Sequence, residues 1–311
     1  MTKLSERMLS GFTYHIIPKI AKDKEGVLGY LEPIIRDGYW SGLQIPPIGN
    51  PEVVKELAAQ LQLAGMTAIY GVGGTLSRAK VSLHTPDSEN RRAAIDLTRE
   101  LIDEAYLMGA RIMDLNPGKD PGAESREQEK DLLVESLGEL CGYAEQKAQD
   151  YVLALSMEHF DRDVDKKYLL GPTAETIEVI RRIQETHDNM GITADISHLY
   201  LLDEDPAQSV RDCGDLVFHA HLSNFIIKDK NDPRWGDNHP PHWVNLSEVG
   251  PAEIAPFLQA LWDIGYFAIP GKPYRHRLVT FEIRPGEGEP PETVIAGSRR
   301  VLDQAVALLD D

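Results

Sequence analysis

Gly191-Ile-Thr-Ala-Asp-Ile-Ser-His198 and, one short helix later, Leu216-Val-Phe-His-Ala-His-Leu-Ser-Asn224 decide how this chain is read. Each is a brief apolar run that breaks at its C-terminal end into groups able to bind a metal ion, Asp195 with His198 in the first and His221 in the second. Two strands joined through a helix run parallel, so those ends lie side by side on one rim. Of His219 and His221, one is expected to point inward and its neighbour outward.

Working outward, the same unit recurs. Strands are expected at 11–17, 42–45, 66–72, 111–116, 151–157, 191–196, 215–220 and 278–281, from their β-branched and aromatic content and their Pro or Gly stops. Between them the apolar spacing and end signals predict helices near 26–37, 50–64, 87–108, 122–149, 172–187, 206–213, 251–264 and 291–309. Asn50-Pro51 is an N-cap with proline in the first turn, and Gly109 stops the third helix. Eight strands alternating with eight helices predict an α/β fold, a (β/α)₈ barrel in a single domain spanning 1–311. A doubly wound open sheet is the competitor, and no Gly-rich phosphate fingerprint supports it. Residues 224–250 form the longest irregular stretch, expected to be an active-site loop or lid.

Composition narrows the function. Fifty acidic against 32 basic residues leave a formal charge of −18, which repels nucleic acid and anionic membranes and suits a small-molecule substrate. Cys141 and Cys213 are too few for a disulfide framework or a thiolate metal cluster. The start lacks a signal-like apolar stretch and no run is long enough for a membrane span, so a cytoplasmic location is the expectation.

Four strands end in potential metal ligands: Glu158, Asp195, His221 and Glu282. A barrel converges its strand ends, so these four can share one ion despite their separation in sequence. Three carboxylates with one imidazole favour Mn²⁺, with Mg²⁺ or Co²⁺ as the other choices. Taken singly, each carboxylate could equally cap a helix and each histidine could be structural.

Met157-Glu158, Asp195-Ile-Ser-His198, His221 and Phe281-Glu282 resemble the Glu, Asp-x-x-His, His, Glu set of the xylose isomerase-like TIM-barrel superfamily, which includes ketose 3-epimerases, inosose and hydroxypyruvate isomerases and endonuclease IV. The helix and strand from Ala93 through Arg111 resemble that family too, and the likeness runs from about residue 11 to 309. It implies that Glu158, Asp195, His221 and Glu282 hold one divalent cation, while Glu158 and Glu282 are also catalytic, moving a proton beside a carbonyl through an enediolate. His198 would hydrogen-bond a substrate oxygen or orient Glu158. Apart from the resemblance, Arg284, two past Glu282 on the same strand side, is a candidate contact for a substrate oxyanion or carboxylate.

The sequence also departs from that pattern. Asn224 stands where related epimerases carry an acidic residue, and the 224–250 stretch is long, with Trp235, His239, His242 and Trp243 as a platform for a sugar or an aromatic aglycone. The reading is therefore a sugar, keto-sugar or polyol isomerase or epimerase. Its alternative is a lyase cleaving a 3-keto sugar from a C-glycoside, which His242, Trp243 and His159 would serve as substrate-binding residues. An endonuclease IV-like nuclease is opposed by the charge and by Asn116. A homo-oligomer or a small partner subunit is left open.

Overall fold

The structure, a computed structural model, describes residues 3–310. Its eight strands are β1 (Leu9–Thr13), β2 (Gly42–Ile45), β3 (Thr67–Gly71), β4 (Ile112–Leu115), β5 (Ala154–Glu158), β6 (Met190–Asp195), β7 (Val217–Ser223) and β8 (Leu278–Glu282). All neighbours pair in parallel in sequence order, and β8 closes on β1. The expected (β/α)₈ barrel is what the chain forms.

Around it run α1 (Val27–Asp37), α2 (Pro51–Leu63), α3 (Thr75–Ala79), α4 (Ser88–Met108), α5 (Arg126–Lys147), α6 (Thr173–Gln184), α7 (Ile196–Leu201), α8 (Pro206–Cys213), α9 (Pro251–Asp263) and α10 (Pro291–Asp310). Their apolar faces pack on the outward side chains of the strands as one continuous core. Two short helices were not expected from periodicity: α3 in the glycine turn after β3, and α7, which starts directly on β6. No helix among the described residues is long and apolar enough to cross a membrane.

The first strand is shorter than the sequence pattern predicts. It stops at Thr13, and Tyr14–Ile16 and Pro18–Ala21 turn as 3₁₀ helices. This bend swings Tyr14 and His15 over the barrel mouth.

Inside the barrel the layers differ. A separate cluster of Ile69, Ile112, Ala154, Phe218 and Leu278, near the N-terminal ends of the strands, forms a dry floor. Above it lies a hydrogen-bonded polar layer in which Thr193 Oγ1 sits 2.8 Å from Asp114 Oδ1 and 2.7 Å from Ser156 Oγ. Pairing of β6 with β7 slips between Ile192 and Thr193. His219 and His221 then both face inward, correcting the expectation that they would diverge: residues two apart on a strand share a face. Their rings meet edge to face at 4.9 Å, and His219 Nε2 lies 2.9 Å from Thr280 Oγ1.

Candidate metal centre

Glu158, Asp195, His221 and Glu282 end β5, β6, β7 and β8 at one point. One ligand-type atom from each lies within 4.8 Å of the others, and all four side chains are buried. His221 Nδ1 is the hub, 3.0 Å from Glu158 Oε1, 3.1 Å from Glu282 Oε2 and 3.7 Å from Asp195 Oδ2. On the far side of the ring, Nε2 meets Gln44 Oε1.

Asp195 serves two purposes with its two oxygens. Oδ1 caps α7, accepting from the backbone nitrogens of Ser197 and His198 at 2.7 and 3.3 Å and from the hydroxyls of Ser197 and Ser223. Oδ2 is buried without a hydrogen-bond partner. A buried carboxylate oxygen left unpaired is costly, and a cation at the centre of the four would satisfy it. The donor set therefore fits a divalent ion.

The electrostatics agree. Burial alone would push both glutamates up. For Glu158 the nearby His221 charge, the His198 imidazole and the hydrogen bond from His221 outweigh it, and for Glu282 the contacts with His239 and His15 do, so both carboxyls lie below their usual range. Burial would lower His221, yet the Glu158 and Glu282 carboxylates raise it well above the ordinary histidine value. Asp114 goes the other way, pushed well up by burial and by the Glu158 charge. The cluster holds more negative charge than its imidazole can balance, which is the condition a metal ion relieves.

A triad adjoins this cluster of four. His198, Asp237 and His239 also place ligand-type atoms within 4.8 Å of one another. Both imidazoles approach Asp237 Oδ1, His198 Nδ1 at 3.4 Å and His239 Nδ1 at 3.5 Å, while their Nε2 atoms stand 3.5 Å from Glu158 and Glu282 respectively. Burial would lower His198, but the Asp237 and Asp195 charges lift it to about 10. Asp237 falls to about 2 because both histidines and Lys166 overcome its burial.

Over these groups opens a cavity of about 300 Å³ whose lining includes Tyr14, His15, Gln44, Arg78, Lys166 and Arg284. Residues 35–304 match the family described as xylose isomerase-like TIM barrel. The chain belongs to that family. No curated protein matches it as a sequence relative. Solved structures similar to this xylose isomerase-like barrel include D-psicose 3-epimerase with D-tagatose from Clostridium cellulolyticum H10, 19% identical, with TM-score 0.66 over 97% of both chains. The IolI protein with a binding zinc atom is 15% identical, with TM-score 0.71 over 96% of this chain and 98% of that one. The 3-keto-D-glucoside 4-epimerase YcjR from E. coli is 12% identical, with TM-score 0.61 over 95% of this chain and 99% of that one. At such identities the likeness is one of fold.

The other sequence candidates in this xylose isomerase-like barrel divide. Arg284 lines the cavity, and its backbone nitrogen donates to the His239 carbonyl. His198 is buried against the Phe160 ring at 4.1 Å and turns its Nε2 to Glu158, the orienting geometry. His159, His242 and Trp243 are not brought to the cavity. His159 follows inward-facing Glu158, so strand alternation sends it outward, with Nε2 3.4 Å from Thr173 Oγ1. His242 donates from Nδ1 to the Val249 carbonyl, and Trp243 lies against Gly297 of α10.

Sequence reading missed Gln44, Asp114, His15 and Lys166. A signal existed for Asp114, a carboxylate in the middle of the apolar Ile-Met-Asp-Leu strand, and for Asp237 with His239, spaced by two. The 224–250 stretch does reach the site through that pair. Lys166 clamps it there, donating to the Asp237 carbonyl at 2.6 Å and pairing with Asp165 and Asp237.

Proposed function

We propose that this chain is a divalent-metal-dependent isomerase or epimerase of a sugar, keto-sugar or polyol that moves a proton on carbon next to a carbonyl. The observation that carries the reading is the convergence of Glu158, Asp195, His221 and Glu282 on one buried point, with an unpaired Asp195 oxygen among them. These four residues would hold the cation, Mn²⁺ first and Mg²⁺ or Co²⁺ next, by the hardness of three carboxylates beside one imidazole. When bound, it would polarise a substrate carbonyl and stabilise the charge that develops on oxygen.

The chain's own residues supply the rest. Glu158 and Glu282 come from strands three places apart around the barrel, on either side of His221, so one can accept a proton from substrate carbon while the other returns one. His15 holds Glu282 Oε1 while Oε2 faces His221, and His198 stands 3.5 Å from Glu158 Oε1. Arg284 offers donors to substrate oxygens at the mouth, while the Lys166 ammonium is taken up by Asp165 and Asp237.

Incubation of the Mn²⁺-loaded protein with keto-pentoses and keto-hexoses in D₂O, followed by NMR, tests this. Deuterium should enter next to the carbonyl, and Glu158→Gln or Glu282→Gln should stop it. Absence of exchange with every ketose from folded, metal-replete protein would end the reading.

The triad of His198, Asp237 and His239 favours a second reading, a two-ion site for metal-assisted hydrolysis. It predicts a second equivalent of bound metal and hydrolysis of a diester substrate. Of the residues that spoke for the C-glycoside lyase, His239 lines the cavity while His159, His242 and Trp243 stand outside it.

A further inference from the structure

Beside the metal cavity lies another, of about 340 Å³, formed by the loops that follow β3 and β4. Asn116 and Tyr168 line both, forming the sill between them. In a chain of net charge −18 this second cavity is locally basic: Lys80 and Lys119 line it, and its single lining carboxylate, Glu129, is already engaged. Glu129 Oε2 lies 2.5 Å from His84 Nδ1, and both side chains are buried.

That pair is oriented. A carboxylate accepts, so His84 Nδ1 carries a proton and Nε2 is the nitrogen turned away from Glu129. It faces Gly118, which sits at φ +76°, and a Cβ there would stand 2.7 Å from Nε2. Only glycine leaves this nitrogen room. Lys119 is held near the sill, its ammonium donating to the Lys166 carbonyl and lying 4.9 Å from the Tyr168 ring centre. Two lysines lining the same cavity as an imidazole nitrogen that can accept from a phosphate hydroxyl make a recognition set for a phosphate monoester.

Resting on the metal-centre reading above, we infer that this second cavity receives the phosphate end of a phosphorylated ketose whose carbonyl end sits at the metal centre. Asn116 and Tyr168 then span the middle of the substrate.

The test has two arms. In the first, glycerol 1-phosphate is titrated by calorimetry into wild type, His84→Gln, Lys119→Met and, as a charge control on exposed α2, Lys55→Met. Saturable binding should weaken about tenfold in His84→Gln and in Lys119→Met, the loss of one charge-assisted hydrogen bond, and stay unchanged in Lys55→Met. No saturable binding, or equal affinity in all four proteins, overturns the inference. In the second arm, kcat/KM for deuterium exchange is compared between a keto-pentose and its 5-phosphate. Wild type should prefer the phosphate, and Lys119→Met should lose that preference. Exchange on the neutral sugar without preference overturns the inference and leaves the metal-centre reading standing. No exchange on either sugar overturns that reading instead, and the titration then decides the anion site by itself.

Discussion

Gln44 Oε1 lies 2.9 Å from His221 Nε2, a contact between β2 and β7 across the barrel. The Gln44 amide nitrogen donates to Asp114 Oδ2 at 3.1 Å, which fixes the amide's direction and turns its oxygen to the histidine. His221 therefore holds a proton on Nε2, and a cation at the centre would displace only the Nδ1 proton that now points to the Glu158 and Glu282 carboxylates. Gly71 makes the space, since a Cβ there would stand 2.6 Å from the Gln44 amide nitrogen.

Gln44→Leu removes that acceptor and leaves the ring free to choose the other tautomer. Divalent-metal affinity, measured by competition with a chelating dye, should fall about 10- to 100-fold, with the circular dichroism spectrum unchanged. Affinity equal to wild type would void the orienting role.

His15 Nδ1 lies 3.0 Å from Glu282 Oε1 and 3.3 Å from Thr13 Oγ1. His15→Phe keeps an aromatic ring at the bend after β1 and removes the contact that aims Glu282. The kcat for proton exchange should fall roughly tenfold with a smaller change in KM, whereas Glu282→Gln should cost about a hundredfold or more, as loss of an acid–base group does. A His15→Phe protein with unaltered kcat would reduce this histidine to packing.

The ligands were legible because each stands where an apolar run stops, and barrel topology alone brings strand ends together. Gln44 and Asp114 were not, because their value depends on which strands face across the closed interior, a relation no local period carries. The 224–250 stretch was expected over the mouth from its length, but it has no periodicity, and only the fold shows that Asp237 and His239 are the residues it brings there. His159 was misread although alternation speaks against it: the residue after an inward glutamate points outward. Trp243 was drawn to the site by its chemistry, while its packing partner on α10 is distant in sequence.

Asn224 explains one departure from the family pattern. Its Oδ1 accepts from the backbone nitrogens of Glu248 and Val249 at 3.2 and 3.0 Å, and its Nδ2 donates to the carbonyls of Pro240 and Pro241, both at 3.2 Å. One buried amide thus ties the two ends of the 224–250 stretch. An acidic residue would supply the acceptor but set a second oxygen against two carbonyls. Asn224→Asp should therefore lower the unfolding free energy by about 2 kcal/mol, the cost of unpaired buried polar groups, and Asn224→Ala by a similar amount. Denaturant unfolding monitored by tryptophan fluorescence measures both, and a neutral Asn224→Asp would contradict the hydrogen-bond assignment.

His242 gives the chain an acid limb. It is buried, its ring packs edge-on to Phe281 at 5.7 Å, and burial pulls its pKa down to about 4, against an ordinary value of 6.5. The unfolded chain then binds this proton at a higher pH than the folded one. Stability is full above about pH 6.5, falls as the pH drops from there, and levels off below about pH 4. At about 1.4 kcal/mol for each unit of difference, this one residue accounts for roughly 3 kcal/mol across that window. His242→Asn keeps a donor for the Val249 carbonyl but has nothing to protonate. Relative to wild type, its unfolding free energy should therefore be less sensitive to pH between 6.5 and 4, whatever its value at neutral pH. Parallel stability curves for the two proteins through that window would show that His242 is not the residue responsible.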